Sequence, residues 1–365
     1  MLMVEITVTL SRRVMNTKHV NRWKLGALAI VAITAVVAAA FASVASSAPQ
    51  RTADTKITGA GSSFVFPLVS QWIPAVGSAL GINLTYAAVG SGAGIAQITA
   101  RTIDFGASDA PMSPDQFSAC KGCVQIPWAL AATSIPYNLP GLTKQVRLSG
   151  PVIAGIYLGQ ITTWNAPAIQ KLNPGLTLPS TKITPVYRSD NSGTSYNFTD
   201  YLSTVSPAWK AKIGTGVNAS WPTGVGGNKS AGVAGVVSHT VGAIGYVDIA
   251  YALANHLQVA AVKNKAGTFA QPGLRGIAAA GATVTSVPSN NELHIVDPAA
   301  TQKLAYPICT FTYVIIPTSS SKAADLRKLV FWALTKGQTY GQKLLFSPIP
   351  KVVLAASEKT LKQVQ

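Results

Sequence analysis

The sequence predicts an α/β fold built on open sheets. Two observations carry this: apolar runs of strand length alternate with stretches of helical spacing, and 365 residues are enough for two lobes. The strand-like runs are 82–89 (INLTYAAV), 125–137 (around Trp128-Ala129-Leu130), 183–187, 243–246 and 311–316 (FTYVII). Helical spacing or length marks 66–80, 95–100, 166–172, 195–202 and 323–340. In open sheets of this kind ligands bind beyond the carboxyl ends of strands, so the turns that follow strands are where a site is sought. No internal repeat is visible.

The first element is a leader. Residues 25–42 (LGALAIVAITAVVAAAFA) hold nothing more polar than Thr34; Lys18, Arg22 and Lys24 precede them and SVASSAPQ follows. That is the three-part order of a secretory signal, with cleavage expected after Ala45 or Ala48, so 1–48 reads as a signal peptide. Met15 opens a more ordinary amino-terminal region than Met1 does. An uncleaved membrane anchor is the competing reading, because the apolar run is long for a signal. No Cys ends the run, which argues against a lipid anchor.

Composition removes several classes. Charged residues make up 11% and hydrophobic residues 48%, while 31 Gly and 22 Pro are dispersed, which excludes a disordered tail protein, a collagen-like repeat and a long coiled coil. A single bilayer-length apolar run excludes a multi-span membrane protein. The 29 Lys+Arg against 12 Asp+Glu give a formal net charge of +17, and 24 basic against 11 acidic residues remain once 1–48 are set aside. Such a balance attracts nucleic acid, anionic lipid or small anions. The bases are scattered singly with no run of five, so nucleic acid is not expected as a partner.

Three glycine-rich polar turns precede expected helices: Gly59-Ala60-Gly61-Ser62-Ser63-Phe64, Gly90-Ser91-Gly92-Ala93-Gly94 after the strand ending at Val89, and Arg188-Ser189-Asp190-Asn191-Ser192-Gly193-Thr194. Each offers hydroxyls and free N–H groups at a helix amino terminus, where the peptide dipoles favour an anion. Any one of them could be a plain capping loop. Three in one chain, one with an arginine, point to an oxyanion site. A fourth segment, Asp104-Phe105-Gly106-Ala107-Ser108-Asp109-Ala110-Pro111, adds carboxylates near the same strand ends. A phosphate that still carries a hydrogen can donate it to a carboxylate, whereas sulfate cannot, and an unpaired buried charge is a strong discriminator. Taken alone, Asp109 reads as a turn cap before Met112.

The segments GAGSSF, YAAVGSGAGIAQI, DFGASDAPMS, RSDNSGTSYNFTDYL and GAIGYVDIAYA, in this order, resemble the periplasmic phosphate-binding proteins of the bacterial ABC phosphate-uptake system. The likeness runs from about Ile57 to Ile316 and is weaker beyond. It implies the two-lobed class II periplasmic binding protein fold, each lobe a central mixed sheet flanked by helices, joined by two crossover hinge strands. On this likeness lobe one holds 57–134 plus 308–365 and lobe two 139–306. The likeness also implies phosphate contacts at Ser63, Phe64 (through its N–H), Ser91, Asp109, Arg188, Ser192, Gly193 and Thr194. Asp109 would accept the phosphate proton, and Asp190 would hold Arg188. Ser63 stands where well-known relatives have Thr, and Gly92-Ala93-Gly94 stands where many have a second Ser. The implied function is an extracytoplasmic or periplasmic receptor that delivers phosphate to a membrane ABC permease, as a monomer and without a cofactor.

Other residues carry plainer readings. Cys120-Lys121-Gly122-Cys123 suits a local structural disulfide better than a redox-active pair, since a thioredoxin-like context is missing. Cys309 sits in an apolar run and reads as a small buried residue. His239, His256 and His294 have no partner at metal-binding spacing, so no metal is expected. Trp72, Trp128, Trp164, Trp209, Trp221 and Trp332 read as core. The rival class is an exported phosphatase-like enzyme or another oxyanion binder. Neither Ser91 nor Ser192 lies in a G-x-S-x-G elbow or a triad motif, and hydroxyls, N–H groups and one Arg hold a ligand without activating water.

Overall fold

The computed structural model describes residues 55–365; the expected signal peptide at 1–48 lies outside the described residues. The described residues begin with β1 (Thr55–Gly61), α1 (Phe66–Leu80), β2 (Ile82–Ala87), α2 (Ser91–Thr99), β3 (Phe105–Ser108), α3 (Pro114–Cys120) and the long β4 (Cys123–Ser134). It continues through β5 (Pro136–Tyr137), β6 (Arg147–Ser149), α4 (Gly150–Tyr157), α5 (Pro167–Gln170), β7 (Thr184–Arg188), α6 (Gly193–Val205), α7 (Pro207–Lys212), β8 (Val225–Gly227) and α8 (Lys229–His239). Next come β9 (Ala243–Ile244), β10 (Val247–Asp248), α9 (Ile249–Ala254), β11 (Gln258–Val259), β12 (Ala261–Lys263), β13 (Phe269–Ala270) and α10 (Leu274–Gly281). The chain closes with β14 (Cys309–Pro317), α11 (Ala323–Leu334), a 3₁₀ segment (Lys336–Leu344) and α12 (Lys351–Leu361).

Two main sheets result, each flanked by helices. The first has the order β10-β4-β14-β3-β1-β2 and the second β11-β5-β9-β7-β8, with β13-β12-β6 as a small third sheet. Within the first, β1 runs parallel to β2 and β3, so their carboxyl ends share one edge of the fold. In the second, β7 runs parallel to β8 and β9. The longest pairing is antiparallel, β4 with β14, and β14 is buried along its whole length. A strand covered on both faces reads as a continuous apolar run, which is why FTYVII lacks alternation.

Aromatic side chains fill both cores. Trp72 meets Trp128 edge to face with ring centroids 5.1 Å apart, and Phe105 meets Trp128 at 5.8 Å. On the second sheet Phe198 stacks on Tyr246 at 4.3 Å, and Tyr157 meets Phe198 edge to face at 4.9 Å. Trp72, Trp128, Trp164, Trp209 and Trp332 are buried, whereas Trp221 is half-buried over the Tyr157, Phe198 and Tyr246 group.

The chain passes between sheets after Ser134 and returns before Cys309. The two passages are tied together: the Thr133 N–H donates to the Ile308 carbonyl at 2.8 Å and the Tyr306 hydroxyl to the Thr133 carbonyl at 3.1 Å. Asn197 of α6 spans both, its Oδ1 accepting from Thr133 Oγ1 at 2.6 Å and its Nδ2 donating to the Cys309 carbonyl at 3.1 Å. A third strand joins them, because β10 pairs with Thr133 and Ser134 at the end of β4. Within the stretch 139–306, α10 and the turn at 290–291 return to the first sheet: Gln125 Nε2 donates to the Asn290 carbonyl and Asn291 Nδ2 to the Gln125 carbonyl, both at 2.8 Å.

Several boundaries differ from the sequence reading. The run 125–137 is two strands in different sheets, divided at Ile135, because the passage between sheets falls there. The helix expected over 323–340 ends at Leu334 and tightens into 3₁₀ geometry around Gly337. Helix α2 starts at Ser91, four residues before the expected Ile95, so Gly92 and Gly94 lie in its first turn. Packing explains them: a Cβ on Gly94 would stand 2.4 Å from Gly61 Cα, and one on Gly92 2.5 Å from Asn191 Cβ. Among the described residues no helix is long and apolar enough to cross a membrane.

Candidate functional site

Every sequence-predicted site residue lies at the carboxyl end of a parallel strand or on the helix turn that follows it. Ser63 and Phe64 follow β1, Ser91 opens α2 after β2, and Asp109 follows β3. From the other sheet, Arg188 ends β7 and Ser192, Gly193 and Thr194 begin α6. The two sets face one another across the gap between sheets. A Cβ on Gly193 would stand 2.6 Å from both Asp109 N and Ser91 Oγ, and the Gly92 N–H donates to the Asn191 carbonyl at 3.1 Å. Gly90 (φ 95°) is held by the same close approach, since a Cβ there would meet Asp190 Oδ2 at 2.6 Å.

The arginine is fixed before any ligand arrives. Its Nε and Nη2 donate to Asp190 Oδ1 and Oδ2 at 2.7 and 2.6 Å, a bidentate pair with only 1% of the Arg188 side chain exposed. This leaves Nη1 directed at Thr194 Oγ1 and Ser230 Oγ, at 3.3 and 3.5 Å. Asp190 also accepts from the Lys229 N–H at 3.0 Å. Burial pushes the Asp190 carboxyl upward, but the hydrogen bonds and charge of Arg188 outweigh it and hold the group below its ordinary range.

Opposite the arginine lies Asp109, 2% exposed. Its Oδ1 accepts from Ser62 Oγ at 2.5 Å and its Oδ2 from Ser91 Oγ at 3.5 Å. Burial is the dominant influence and pushes this carboxyl up to about 7, against the opposing pull of Ser62, Arg188, Ser91 and Thr194. A carboxyl so placed changes protonation near neutrality and switches between pure acceptor and donor.

The remaining expected residues are present in particular roles. The Phe64 N–H donates to Ser62 Oγ at 3.0 Å, so the Ser62 hydroxyl accepts from an N–H and donates to Asp109. Ser63 Oγ lies 3.0 Å from Ser230 Oγ and accepts from the Ser230 N–H at 3.2 Å, a contact between the two sets of loops. Ser192 caps α6, its Oγ accepting from the Ser195 N–H at 3.2 Å, which leaves the N–H groups of the first turn at Gly193 and Thr194 for a ligand. Arg188, hydroxyls and helix-terminal N–H groups converge on one small volume bounded by a single acceptor. Such a set suits a tetrahedral oxyanion carrying one proton.

A family model for the PBP superfamily domain matches residues 46–333. The phosphate-binding protein PstS of Xylella fastidiosa strain Temecula1 is 41% identical over 305 residues, covering 82% of this chain and 83% of that protein. The chain belongs to the PstS phosphate-binding protein family. PstS of Pasteurella multocida is 39% identical over 82% of this chain and 87% of its own length. The fold is shared with a phosphate-binding protein from Stenotrophomonas maltophilia, at a TM-score of 0.65 and 22% identity over 84% of this chain and 93% of that one. The two-lobed fold that the sequence resemblance implies is thus the fold of this family.

Sequence reasoning passed over three residues at the site. Ser62, not its neighbour Ser63, bonds Asp109. Ser230 is the second residue of α8, after β8 in the turn Gly227-Asn228-Lys229-Ser230, a fourth strand-to-helix turn of the same kind as the three singled out. Asp248 is fully buried in β10 beside the end of β4, and its Oδ1 caps α9 by accepting from the Tyr251 N–H at 3.2 Å while Oδ2 has no partner among the described residues. Burial pushes its carboxyl far upward, and the charge of Asp109 adds to this. Its only signal in the sequence is one acid inside the otherwise apolar GYVDIAYA.

The expected core role of Cys309 agrees with its burial. Cys120 and Cys123 form a disulfide at the end of α3. Of the histidines, His294 lies near Asp200 and Glu292, whose carboxylates raise it to about 9, and among the described residues no group of three metal-ligating side chains forms.

Proposed function

We propose that this chain captures inorganic phosphate as its monohydrogen form between the two lobes, outside the cytoplasm, and delivers it to an ABC permease in the membrane. The observation that carries the reading is the opposition of Arg188, locked by Asp190, to the buried carboxyl of Asp109. In this reading Arg188 Nη1, the hydroxyls of Ser63, Ser192 and Thr194, and the N–H groups of Gly193 and Thr194 donate to phosphate oxygens, and the Ser91 hydroxyl and the Phe64 N–H do so by exchanging Asp109 Oδ2 and Ser62 Oγ for the ligand. Asp109 accepts the proton that phosphate retains, and a sulfate dianion leaves that acceptor unpaired beside a negative charge.

Lobe one is assigned 57–134 with 308–365 and lobe two 139–306, with the passages near Ser134 and Ile308 as hinges; within 139–306, β10, α10 and the turn at 290–291 stay with the first sheet. Because the groups that would contact phosphate come from both stretches, ligand binding favours the closed arrangement. In this reading the one carboxyl near neutrality is turned to the proton of phosphate and is not left to take one from water. The test is phosphate-stripped protein given inorganic phosphate and p-nitrophenyl phosphate. Saturable one-to-one phosphate binding with no nitrophenol release is expected; turnover of the ester, or no binding of phosphate, overturns the reading.

A further inference from the structure

The Cys120–Cys123 disulfide has an unusual neighbour. Arg101, just past the end of α2, sends Nη1 to within 3.3 Å of Cys120 Sγ and 3.2 Å of Cys123 Sγ. The same guanidinium donates through Nη1 to the Ile98 carbonyl at 2.7 Å and through Nη2 to the Cys120 and Lys121 carbonyls at 2.7 and 3.2 Å. To reach this position Arg101 takes a left-handed backbone conformation, φ 57°. Among the described residues it forms no ion pair, so its charge is not spent on a carboxylate.

A cation does little for a neutral disulfide and much for a thiolate. The other surroundings are apolar: Ile95, Ile98, Met112 and Ile315 pack around the sulfurs with Phe117 and Ile103 behind. The other charged groups of this segment are exposed Lys121 between the two cysteines and Asp115 in the first turn of α3, at the far end from Cys120. The carboxyl-terminal carbonyls of α3 oppose a negative sulfur, but Arg101 covers the Cys120 carbonyl itself. In an apolar pocket with one unpaired guanidinium on both sulfurs, the charged form of either thiol is the form the site stabilises.

We propose that Cys120–Cys123 is a redox-exchangeable pair, with Arg101 stabilising the thiolate formed when an external thiol opens it. Cys123 is the more exposed sulfur residue, 8% against 1% for Cys120. An external dithiol, such as dithiothreitol or the active pair of a thiol oxidoreductase, attacks Cys123 Sγ as its thiolate. A bond forms between that sulfur and Cys123 Sγ, and the Cys120–Cys123 bond breaks with its electron pair passing to Cys120 Sγ beside Arg101 Nη1. The second thiolate of the reagent then attacks the first, closing the reagent to its disulfide and releasing Cys123 as a thiolate; two electrons pass from dithiol to protein. This reaction is independent of phosphate binding.

The test is the rate of iodoacetamide alkylation of the reduced, folded, full-length protein as a function of pH, read by mass spectrometry of the 120–123 peptide. A free cysteine titrates at about 8.5 and cysteines beside Arg or Lys fall to about 3.5–7.5. We expect at least one of Cys120 and Cys123 to show a midpoint below about 7.5, while buried Cys309 serves as an unreactive internal control. Arg101→Gln is expected to raise that midpoint by about one pH unit and to slow reduction by dithiothreitol at pH 7 several-fold, with Arg101→Lys intermediate. Midpoints at or above about 8.5 for both cysteines of the wild type overturn the proposal, and that measurement decides even if the variants fail to fold. A midpoint unmoved in a folded Arg101→Gln variant overturns the role of the arginine.

Discussion

Asp190 holds Arg188 by both oxygens, at 2.7 Å to Nε and 2.6 Å to Nη2, so that a single nitrogen, Nη1, is left to face the cleft. A guanidinium pinned on one edge has lost its rotamer freedom before binding begins, which lowers the entropy that a ligand must overcome. The same pairing holds the Asp190 carboxyl below its ordinary range, against the upward push of burial.

Removing the arginine is therefore expected to cost most. Hydrogen bonds to charged groups are worth about 1.5–3 kcal/mol, so Arg188→Ala should weaken phosphate binding by at least roughly tenfold. Calorimetric titration of the variant checks this. Asp190→Asn keeps the shape but loses the charge, and a smaller loss of affinity is expected from it, with the fold intact by circular dichroism.

Asp109 gives a prediction on selectivity. In Asp109→Asn the acceptor-only carboxylate becomes an amide that can donate, so sulfate no longer faces an unpaired charge. Measurable sulfate binding should appear while phosphate weakens modestly. If the ratio of the two affinities is unchanged in the folded variant, Asp109 is a structural cap and not a selector.

The same carboxyl makes selectivity depend on pH. With Asp109 pushed up to about 7 by burial, acidification protonates it and turns it into a donor. Competition by sulfate against labelled phosphate should therefore be negligible at pH 8 and grow as the pH falls below about 7. Equal competition at both pH values would contradict the assignment.

Stability carries a matching signature in the ligand-free protein. A carboxyl that titrates at 3.8 when unfolded and at about 7 when folded binds more protons in the native state between these values. Its contribution to stability is thus full below about pH 4 and declines as pH rises through about 7. Asp109→Asn removes this dependence, so the melting temperature of the variant relative to wild type should rise from pH 4 to pH 8. A falling difference would mean that Asp109 is not forced to ionise at a cost.

Much of this was legible in the sequence, and the exceptions are physical. The three glycine-rich turns and Asp109 were placed correctly near strand ends because strand-turn-helix order is local. What no local pattern carries is which hydroxyl points inward: Ser62 and Ser63 are neighbours, and only the pairing of β1 with β3 brings Ser62 to Asp109. The glycines of α2 look like a free turn in the sequence, yet they are helical, because Gly94 must pass Gly61 and Gly92 must pass Asn191. The division of 125–137 at Ile135 is likewise invisible in a run that stays apolar through a change of sheet.

The site is expected to hold phosphate and refuse sulfate. Calorimetric titration of the phosphate-stripped protein at pH 8 with phosphate and, separately, with sulfate tests it most directly. Saturable one-to-one binding of phosphate with no heat of sulfate binding is the predicted result. Equal affinity for the two anions, or no binding of phosphate, would contradict it.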